Sequence, residues 1–432
     1  MKYFRINIYL NFKNFLKAIF FFSNETKYER DINKAISKNS NKKNVSLTSQ
    51  CRISFLFLLR YLKKKFPKKN EIIFCAYNLP EMVNVASNLD FEIIFCDLDY
   101  KTGFYNLNKL KRKINKKTAA VVLTNMFNSY EQSLQLKKIC KKRHTLLIED
   151  NAIYFDNHKI KKNKKIFSGT IGDFSIYSFN IMKNISALYG GAAASNFDDF
   201  HFYLNKESIK LKSFDKILLF KQIIIFFILK IMSVKFLYKY FFFNIIKKSH
   251  INNIHPFMKL FYPSLKFKIV KFPKHYFTNI SSFSKKLIFN QLTQSKIRMD
   301  SHKKRKIKNI YYYKQFNKYR INQIKIIKIS DFNYQNFIDF PLLVKNKIRL
   351  NHFLLKNGIE TRFHYYQNCE RIFIKTGKLS CSNSEKYEKQ IICLPNHEKI
   401  SLEYIDYIVK MISFFYSNNI KKKLKLRKLY VR

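Results

Sequence analysis

One stretch of the chain, residues 145–196, concentrates residue types that carry chemistry. Glu149 and Asp150 close an apolar run, and Lys183 follows a second β-like run that contains Ser178. Four of the seven glycines lie in the same stretch: Gly169, Gly172, Gly190 and Gly191. In a chain so poor in glycine, this cluster predicts backbone that lies close to a ligand or in turns that side chains cannot enter. The sequence therefore predicts an active site here.

A lysine amine, a carboxylate and a hydroxyl group at these spacings suit pyridoxal 5′-phosphate (PLP). This cofactor needs a lysine for a Schiff base and an anion against its pyridine nitrogen. Its phosphate needs hydroxyl and backbone N–H donors, ideally at a helix N-terminus. Asp150 lies 33 residues before Lys183, and Ser178 lies five residues before it. The 83 Lys and Arg residues make spacing alone a weak argument, since most lysines are simply solvated.

Short apolar runs alternate with helical patterns from residue 48 onward. The strand patterns fall at 71–75, 92–96, 119–123, 145–148 and 174–179, and the helical patterns at 53–62, 80–88, 107–114 and 134–142. This alternation predicts a largely parallel sheet covered on both faces, with ligands bound beyond the carboxyl ends of the strands. Tyr77, Asp97, Asn125 and Asp150 follow strand ends, so we expect them along one edge of the sheet.

Three motifs in the central stretch, IEDNA, GTIGDFSIYSFNIMKN and GGAAASN, resemble the signature of the DegT/DnrJ/StrS nucleotide-sugar aminotransferases, which are fold-type I PLP enzymes. Other segments resemble the family in the same order: SQCRISFLFLL, EIIFCAYNLPEMVNVASNLDFEIIFCDLD, KTAAVVLTNMF, NGIETRFHYY and ICLPNHEKISLEYID. The resemblance covers about residues 48–200 and 278–415. It implies an α/β fold, with a large domain around a mostly parallel sheet of the seven-stranded type and a small C-terminal α+β domain.

The resemblance also implies roles for particular residues. Lys183 would form the Schiff base, Asp150 would pair with the pyridinium, and Ser178 would bind the phosphate. Cys51 and Arg52 lie where the family usually has a Gly-Thr type pair that holds the phosphate.

Three further positions complete the expected cofactor site. Asn125 lies at a strand end near the ring, and Tyr77 would replace an aromatic residue that relatives place over it. Asn180 stands where many members have histidine. No Cys/His set has the spacing of a zinc site, so no metal is expected.

The formal charge of +55 has a compositional explanation, because lysine is spread along the whole chain together with Ile, Asn, Phe and Tyr. Nucleic acid is not favoured as a partner, since no recognition module accompanies the charge. The basic surface would favour a diphosphate-bearing substrate. Seven scattered cysteines without a CxxC pair indicate reduced thiols and a cytoplasmic protein.

The remaining segments suggest five units. Residues 1–47 are predicted as a basic amphipathic helix (1–22) and a linker or loose helix. The PLP-binding domain is 48–203, a hydrophobic, basic helical insertion is 204–276, connecting helices are 277–335, and the small domain is 336–432. Strands are expected at 337–344 and 360–364, and helices at 350–356 and 403–416, with a frayed tail from residue 421.

Lysines 221, 235 and 239 would share one face of the insertion. The insertion would then either lie on the anionic inner face of the membrane or form a subunit interface.

The resemblance implies transfer of an amino group from glutamate to a keto group on a nucleotide-linked sugar, for cell-surface polysaccharide or glycolipid synthesis, by a homodimer. One alternative is another fold-type I PLP enzyme, although Lys183 disfavours the sugar dehydratases of the family, which have histidine at that position. A second alternative is a non-catalytic, membrane-associated relative, which Cys51, Asn180 and Asn128 (at a usual glycine position) would suit.

Overall fold

A computed structural model describes residues 2–20, 25–153, 155–252, 271–273, 276–363, 366–374 and 379–429, and the side chains up to residue 417. The strands are β1 (Asn44–Thr48), β2 (Glu71–Cys75), β3 (Tyr77–Asn78), β4 (Glu92–Cys96), β5 (Thr118–Thr124), β6 (Leu146–Asp150), β7 (His158–Lys161), β8 (Lys164–Phe167), β9 (Phe174–Ser178), β10 (Gly191–Ser195), β11 (Ile324–Ile326), β12 (Asp339–Val344), β13 (Gln367–Asn368) and β14 (Ile391–Pro395). The α-helices are Phe12–Ile19, Glu25–Ser40, Cys51–Lys65, Pro80–Ser87, Leu107–Lys113, Tyr130–Lys142, Asp198–Ile209, Lys216–Met232, Lys235–Leu237, Phe243–Ile251, Ser282–Leu292, Ser295–Tyr319, Lys347–Lys356, Cys369–Phe373, Ser382–Gln390 and Leu402–Leu429.

A seven-stranded sheet in the order β1-β10-β9-β6-β5-β2-β4 forms the centre of the large domain. β4, β2, β5, β6 and β9 run parallel, and β10 runs antiparallel to both of its neighbours. Parallel strands covered on both faces read as continuous apolar runs, and β2 and β5 are buried along their whole length. The predicted fold class is confirmed. The strand expected at 145–148 is shifted to Leu146–Asp150, so Asp150 is its last residue.

The small domain is built on an antiparallel sheet of β11, β12 and β14. A short ladder between β3 and β13 joins it to the large domain. The strand expected at 360–364 is wrong for its described residues, because only Arg362 makes a bridge, to Cys393. Instead, the buried Glu360 carboxylate accepts a hydrogen bond from the Tyr238 hydroxyl, and the buried Thr361 hydroxyl donates one to Asn351 Oδ1. His364 lies outside the described residues.

The N-terminal region departs in part from expectation. Residues 1–22 are not one helix: among those that the structure describes, only Phe12–Ile19 is helical, and the described residues before it have no regular structure. Of the two alternatives expected for residues 23–47, a linker or a loose helix, the described residues show a helix at Glu25–Ser40, and the strand β1 begins at Asn44. β1 completes the sheet by pairing with β10, a long-range contact that a polar sequence pattern does not reveal.

The insertion contains the helices Lys216–Met232 and Lys235–Ile251, the second with a π-helical turn at Tyr238–Phe242. Among the described residues no single helix is long and apolar enough to cross a membrane, and these two meet the requirement only as a pair bent by 77°. The bend separates Lys221 from Lys235 and Lys239, so the three lysines do not share one helical face. The last helix runs on to Leu429 rather than fraying from residue 421.

Candidate active site

The carboxyl edge of the parallel strands places Asp150 at the centre of the sheet. It is paired in register with Thr124 of β5 and Ile176 of β9, and is 4% exposed. Its Oδ1 accepts a hydrogen bond from the backbone N–H of Ala152 at 2.9 Å, and within the described chain the carboxylate has no other hydrogen bond. Burial raises the pKa of Asp150, which the Ala152 N–H and the nearby Lys183 amine oppose. A buried carboxylate with so few partners needs a cation.

Lys183 lies in a tight turn after β9. Its backbone N–H donates to the carbonyl of Asn180 at 2.9 Å, and Asn180 Oδ1 accepts from the N–H of Ile181 at 2.6 Å. The side chain of Asn180 therefore shapes the turn that carries the lysine, as asparagine commonly does in loops. Burial, and after it the charge of Arg362, lower the pKa of the Lys183 amine to about 8, while Asp150 opposes the shift. Near physiological pH the amine is still mostly protonated, but a minority of roughly a fifth is neutral, far more than for an exposed lysine.

Glu149 has a different role from its neighbour. One of its oxygens accepts from the N–H of Gly169 at 3.2 Å, and the other accepts from Ile171 and Gly172 at 2.8 and 2.6 Å. Successive strand residues point to opposite faces, so the carboxylate pair is split. Glu149 holds the Gly169–Gly172 loop, and only Asp150 is directed to Lys183.

The helix Cys51–Lys65 begins beside this pair and fits the phosphate of PLP. Its N-cap residue, Gln50, makes no side-chain cap, so first-turn amides are left for a ligand. A Cβ on Gly191 would lie 2.4 Å from the backbone nitrogen of Cys51, so only glycine permits this approach of β10. Ser178 is paired in register with Gly191, which brings its hydroxyl to the same place.

Two side chains, those of Ser49 and Arg52, add polarity around the helix N-terminus. The Ser49 hydroxyl is fully buried without a hydrogen-bond partner in the described chain. Arg52 donates to the hydroxyl of Tyr276 at 2.5 Å. Burial raises the pKa of the Cys51 thiol, and Asp150 reinforces this, so Cys51 contributes its backbone amide rather than a thiolate. An orphaned buried hydroxyl, free amides and a guanidinium are the donors that a phosphate requires.

Two predicted residues make contacts directed away from Lys183. The Asn125 amide donates to Asn151 Oδ1, and its Oδ1 accepts from Asn128 Nδ2 at 2.7 Å. The Tyr77 ring packs on Tyr366 and Tyr387 between the two domains. The structure therefore brings Asp150, Lys183, Cys51 and Arg52 together, with Ser178 alongside. The described partners of Tyr77 and Asn125 given above lie elsewhere.

Sequence reasoning missed three residues of this site: Ser49, Tyr276 and Arg362. Arg362 comes from the small domain, pairs with Asp339 at 3.1 Å, and is close enough to Lys183 to affect its pKa. It lies within the NGIETRFHYY segment, so the resemblance offered a signal for it. Tyr276 offered none, since its contact with Arg52 spans 224 positions in sequence. Within the described residues no cluster of His, Cys, Asp or Glu has the arrangement of a metal site.

These features define a fold-type I transferase: a seven-stranded sheet, a small C-terminal domain, and, at the carboxyl edge of the parallel strands, a lysine with a lowered pKa beside a buried carboxylate. The chain belongs to the DegT/DnrJ/EryC1/StrS aminotransferase family, whose model matches residues 12–208 and 278–413. The predicted family is therefore confirmed.

Individual relatives are more distant. GDP-perosamine synthase from Vibrio cholerae is 30% identical over 129 residues, which cover 30% of this chain and 34% of that protein. The chain thus matches about a third of the length of this curated relative. The structure of Helicobacter pylori PseC, an aminotransferase of pseudaminic acid biosynthesis, is 16% identical with a TM-score of 0.66 and covers 97% of this chain and all of that one. A GDP-4-keto-6-deoxymannose-3-dehydratase with a trapped PLP–glutamate geminal diamine is 17% identical with a TM-score of 0.66, over 95% and 99% of the two chains. At this identity the structures show the shared fold.

Proposed function

We propose that this protein is a PLP-dependent aminotransferase that moves an amino group from glutamate to the keto group of a nucleotide-linked sugar, for cell-surface polysaccharide or glycolipid synthesis. The observation that carries the proposal is the Lys183 amine, with its pKa lowered to about 8, beside the buried carboxylate of Asp150. Family membership supports the reaction class. The perosamine synthase relative and the dehydratase with its PLP–glutamate adduct support the sugar and the amino donor.

The residues divide the work by position. When bound, PLP supplies an electron-accepting ring that stabilises charge on the substrate carbon. Asp150 would keep the ring nitrogen protonated, and this pairing would relieve its own buried charge. The phosphate would be held by the first-turn amides of the helix Cys51–Lys65 and by the side chains of Ser49, Ser178 and Arg52.

Lys183 Nζ is the base. In its neutral form it would accept a proton from the substrate carbon that bears the amino group, hold it, and deliver it to C4′ of the bound cofactor. A pKa of about 8 suits both directions, because the amine is neither permanently protonated nor too weak a base. Arg362, at the same edge, would attract the anionic part of the substrate.

An absorption spectrum tests the cofactor. Purified protein should show the band of PLP bound through a lysine, and Lys183→Ala should abolish it, whereas Lys206→Ala, at an exposed lysine of Asp198–Ile209, should leave it unchanged. Glutamate should convert the bound cofactor to its amine form and release 2-oxoglutarate. If the protein takes up PLP but glutamate does not convert it, another fold-type I reaction is favoured. If the protein takes up no PLP, the non-catalytic alternative is favoured.

We propose that the protein is cytoplasmic and binds the anionic inner face of the membrane through its insertion. The helix Lys216–Met232 exposes a stripe at helical spacing formed by Ile217, Phe220, Ile224, Ile228 and Ile231. The helix Phe12–Ile19 lies beside it, with Phe12 contacting Phe227, and exposes apolar residues of its own. Exposed Lys13, Lys17, Lys216 and Lys221 on the same helices complement anionic headgroups.

Sedimentation with vesicles tests this surface. The protein should bind phosphatidylglycerol vesicles and not phosphatidylcholine vesicles at low salt, and Phe220→Ser should weaken binding at least fivefold. Phe202→Ser, at an equally exposed phenylalanine of Asp198–Ile209, is the matched control. If Phe220→Ser instead lowers the oligomeric state, the stripe is a subunit interface. We also propose a homodimer, as the family resemblance implies, which analytical ultracentrifugation should show directly.

A further inference from the structure

A polar cavity of about 240 Å³ lies between the N-terminal segment, the helix Ser295–Tyr319 and the loop that follows β14. Asn184 contributes to its wall, but neither Lys183 nor Asp150 does. Two of its ionic groups already satisfy each other: Arg298 pairs with Asp156 at 3.2 Å, and Asn184 donates to the same carboxylate at 3.0 Å. The remaining charged groups in the wall are not matched in this way.

Arg305 is a buried cation without an anion. It is 3% exposed, and its only hydrogen bond within the described chain is a long one, 3.4 Å, from Nη1 to the Tyr9 hydroxyl. Its Nε has no partner, and it forms no ion pair with any described carboxylate. Burial of an unpaired charge is strongly unfavourable, so this guanidinium indicates an anionic partner that the described residues do not provide.

Glu398, which lines the same cavity, presents the opposite requirement. One of its oxygens accepts from Asn7 Nδ2 at 2.6 Å, but Oε2 is buried without a partner. Asn7 Oδ1 is also buried and unpartnered within the described residues. These two acceptors line the same cavity as Arg305 and need a hydrogen-bond donor.

We propose that this cavity binds a small zwitterion, an α-amino acid or close analogue, whose carboxylate pairs with Arg305 and whose ammonium group donates to Glu398 and Asn7. A simple anion would pair with Arg305, but it would leave Glu398 Oε2 without a hydrogen-bond donor, and the two negative charges would repel each other. A simple amine would satisfy Glu398 but leave Arg305 unpaired. A molecule that carries both groups offers a partner to each of these two lining residues and is small enough for a cavity of about 240 Å³. The site does not involve the Lys183 amine, so it stands independently of the proposed transamination.

Three small probes separate the parts of this proposal by calorimetric titration of the protein as isolated. N-methylglycine has a carboxylate and N–H donors, and its secondary amine does not exchange with a lysine Schiff base as primary amines do. Glycine betaine keeps the charges but has no N–H, and acetate keeps only the carboxylate. N-methylglycine should bind at least tenfold more tightly than either. Acetate binding as tightly as N-methylglycine, or no N-methylglycine binding at millimolar concentration, would overturn the proposal.

Variants locate the binding. Arg305→Gln and Glu398→Gln should each weaken N-methylglycine binding at least tenfold, whereas Lys304→Gln, at an exposed neighbour on the same helix, should not. Melting temperature provides a second measurement that does not depend on calorimetry. Arg305→Gln removes an unpaired buried charge, so it should melt no lower than wild type without ligand and lose the upward shift that N-methylglycine gives wild type. Unchanged binding in both cavity variants rules the site out.

Discussion

Replacing Lys183 by methionine in the cofactor-free protein should increase its stability at neutral pH. Methionine keeps the length of the side chain and removes the charge. The environment lowers the pKa of the lysine amine from 10.5 to about 8, mainly through burial and then through Arg362. A shift of this size corresponds to about 3 kcal/mol of penalty on the charged form, at about 1.4 kcal/mol per unit. Because the amine is partly exposed, solvent screening reduces the expected gain to about 2 kcal/mol.

The pH dependence follows from the lowered pKa. Below about pH 8 the amine is protonated in both the folded and unfolded states, and the folded state carries the full penalty. Between pH 8 and 10.5 the folded protein loses the proton while the unfolded chain keeps it, so wild-type stability rises relative to the methionine variant. Above 10.5 the amine is neutral in both states and the penalty is gone.

Urea denaturation of both proteins at pH 7, 9 and 10.5 measures this difference, and subtraction removes the titration of all other groups. The free energy of unfolding should favour Lys183→Met by about 2 kcal/mol at pH 7 and by little at pH 10.5. Lys206→Met, the same substitution at an exposed lysine, is the matched control. A Lys183→Met protein that is less stable than wild type at pH 7, or a difference that does not change with pH, would refute the reasoning.

Three further substitutions test the supporting structure. Glu149→Gln should lower the free energy of unfolding, measured in urea, by about 3 kcal/mol, because three backbone amides lose a charged acceptor. The surface change Glu131→Gln should lower it by less than about 0.5 kcal/mol, and equal effects of the two would contradict the assigned role. Gly191→Ala should abolish PLP retention, because the added Cβ would lie 2.4 Å from backbone atoms. Gly190→Ala should reduce retention less, because its Cβ would meet side-chain atoms at 3.2 Å, and the reverse order would be inconsistent with this packing. Asp150→Asn should leave the fold intact and lower the rate of glutamate conversion at least a hundredfold, and near-normal single-turnover kinetics would exclude a direct role for the carboxylate.

Much of the large domain was predictable because parallel buried strands leave a strong local signal. Every strand predicted between residues 71 and 179 exists within a few residues of its expected position. β1 and the strand expected at 360–364 were not predictable, because each depends on distant partners. β1 is polar at its start and is defined by β10. In the second segment, Glu360 and Thr361 are held by buried hydrogen bonds with Tyr238 and Asn351.

For the site, the sequence by itself determined the motif order, the lysine, the carboxylate pair and the helix that follows Gln50. These are local features, since strand ends, glycine clusters and turn residues are written in adjacent positions. Only the tertiary structure decided that Glu149 holds a loop while Asp150 faces Lys183, because the difference lies in which face of β6 each residue occupies. The lowered pKa of Lys183 and the approach of Arg362 likewise come from burial and from packing of the small domain, which no local pattern encodes.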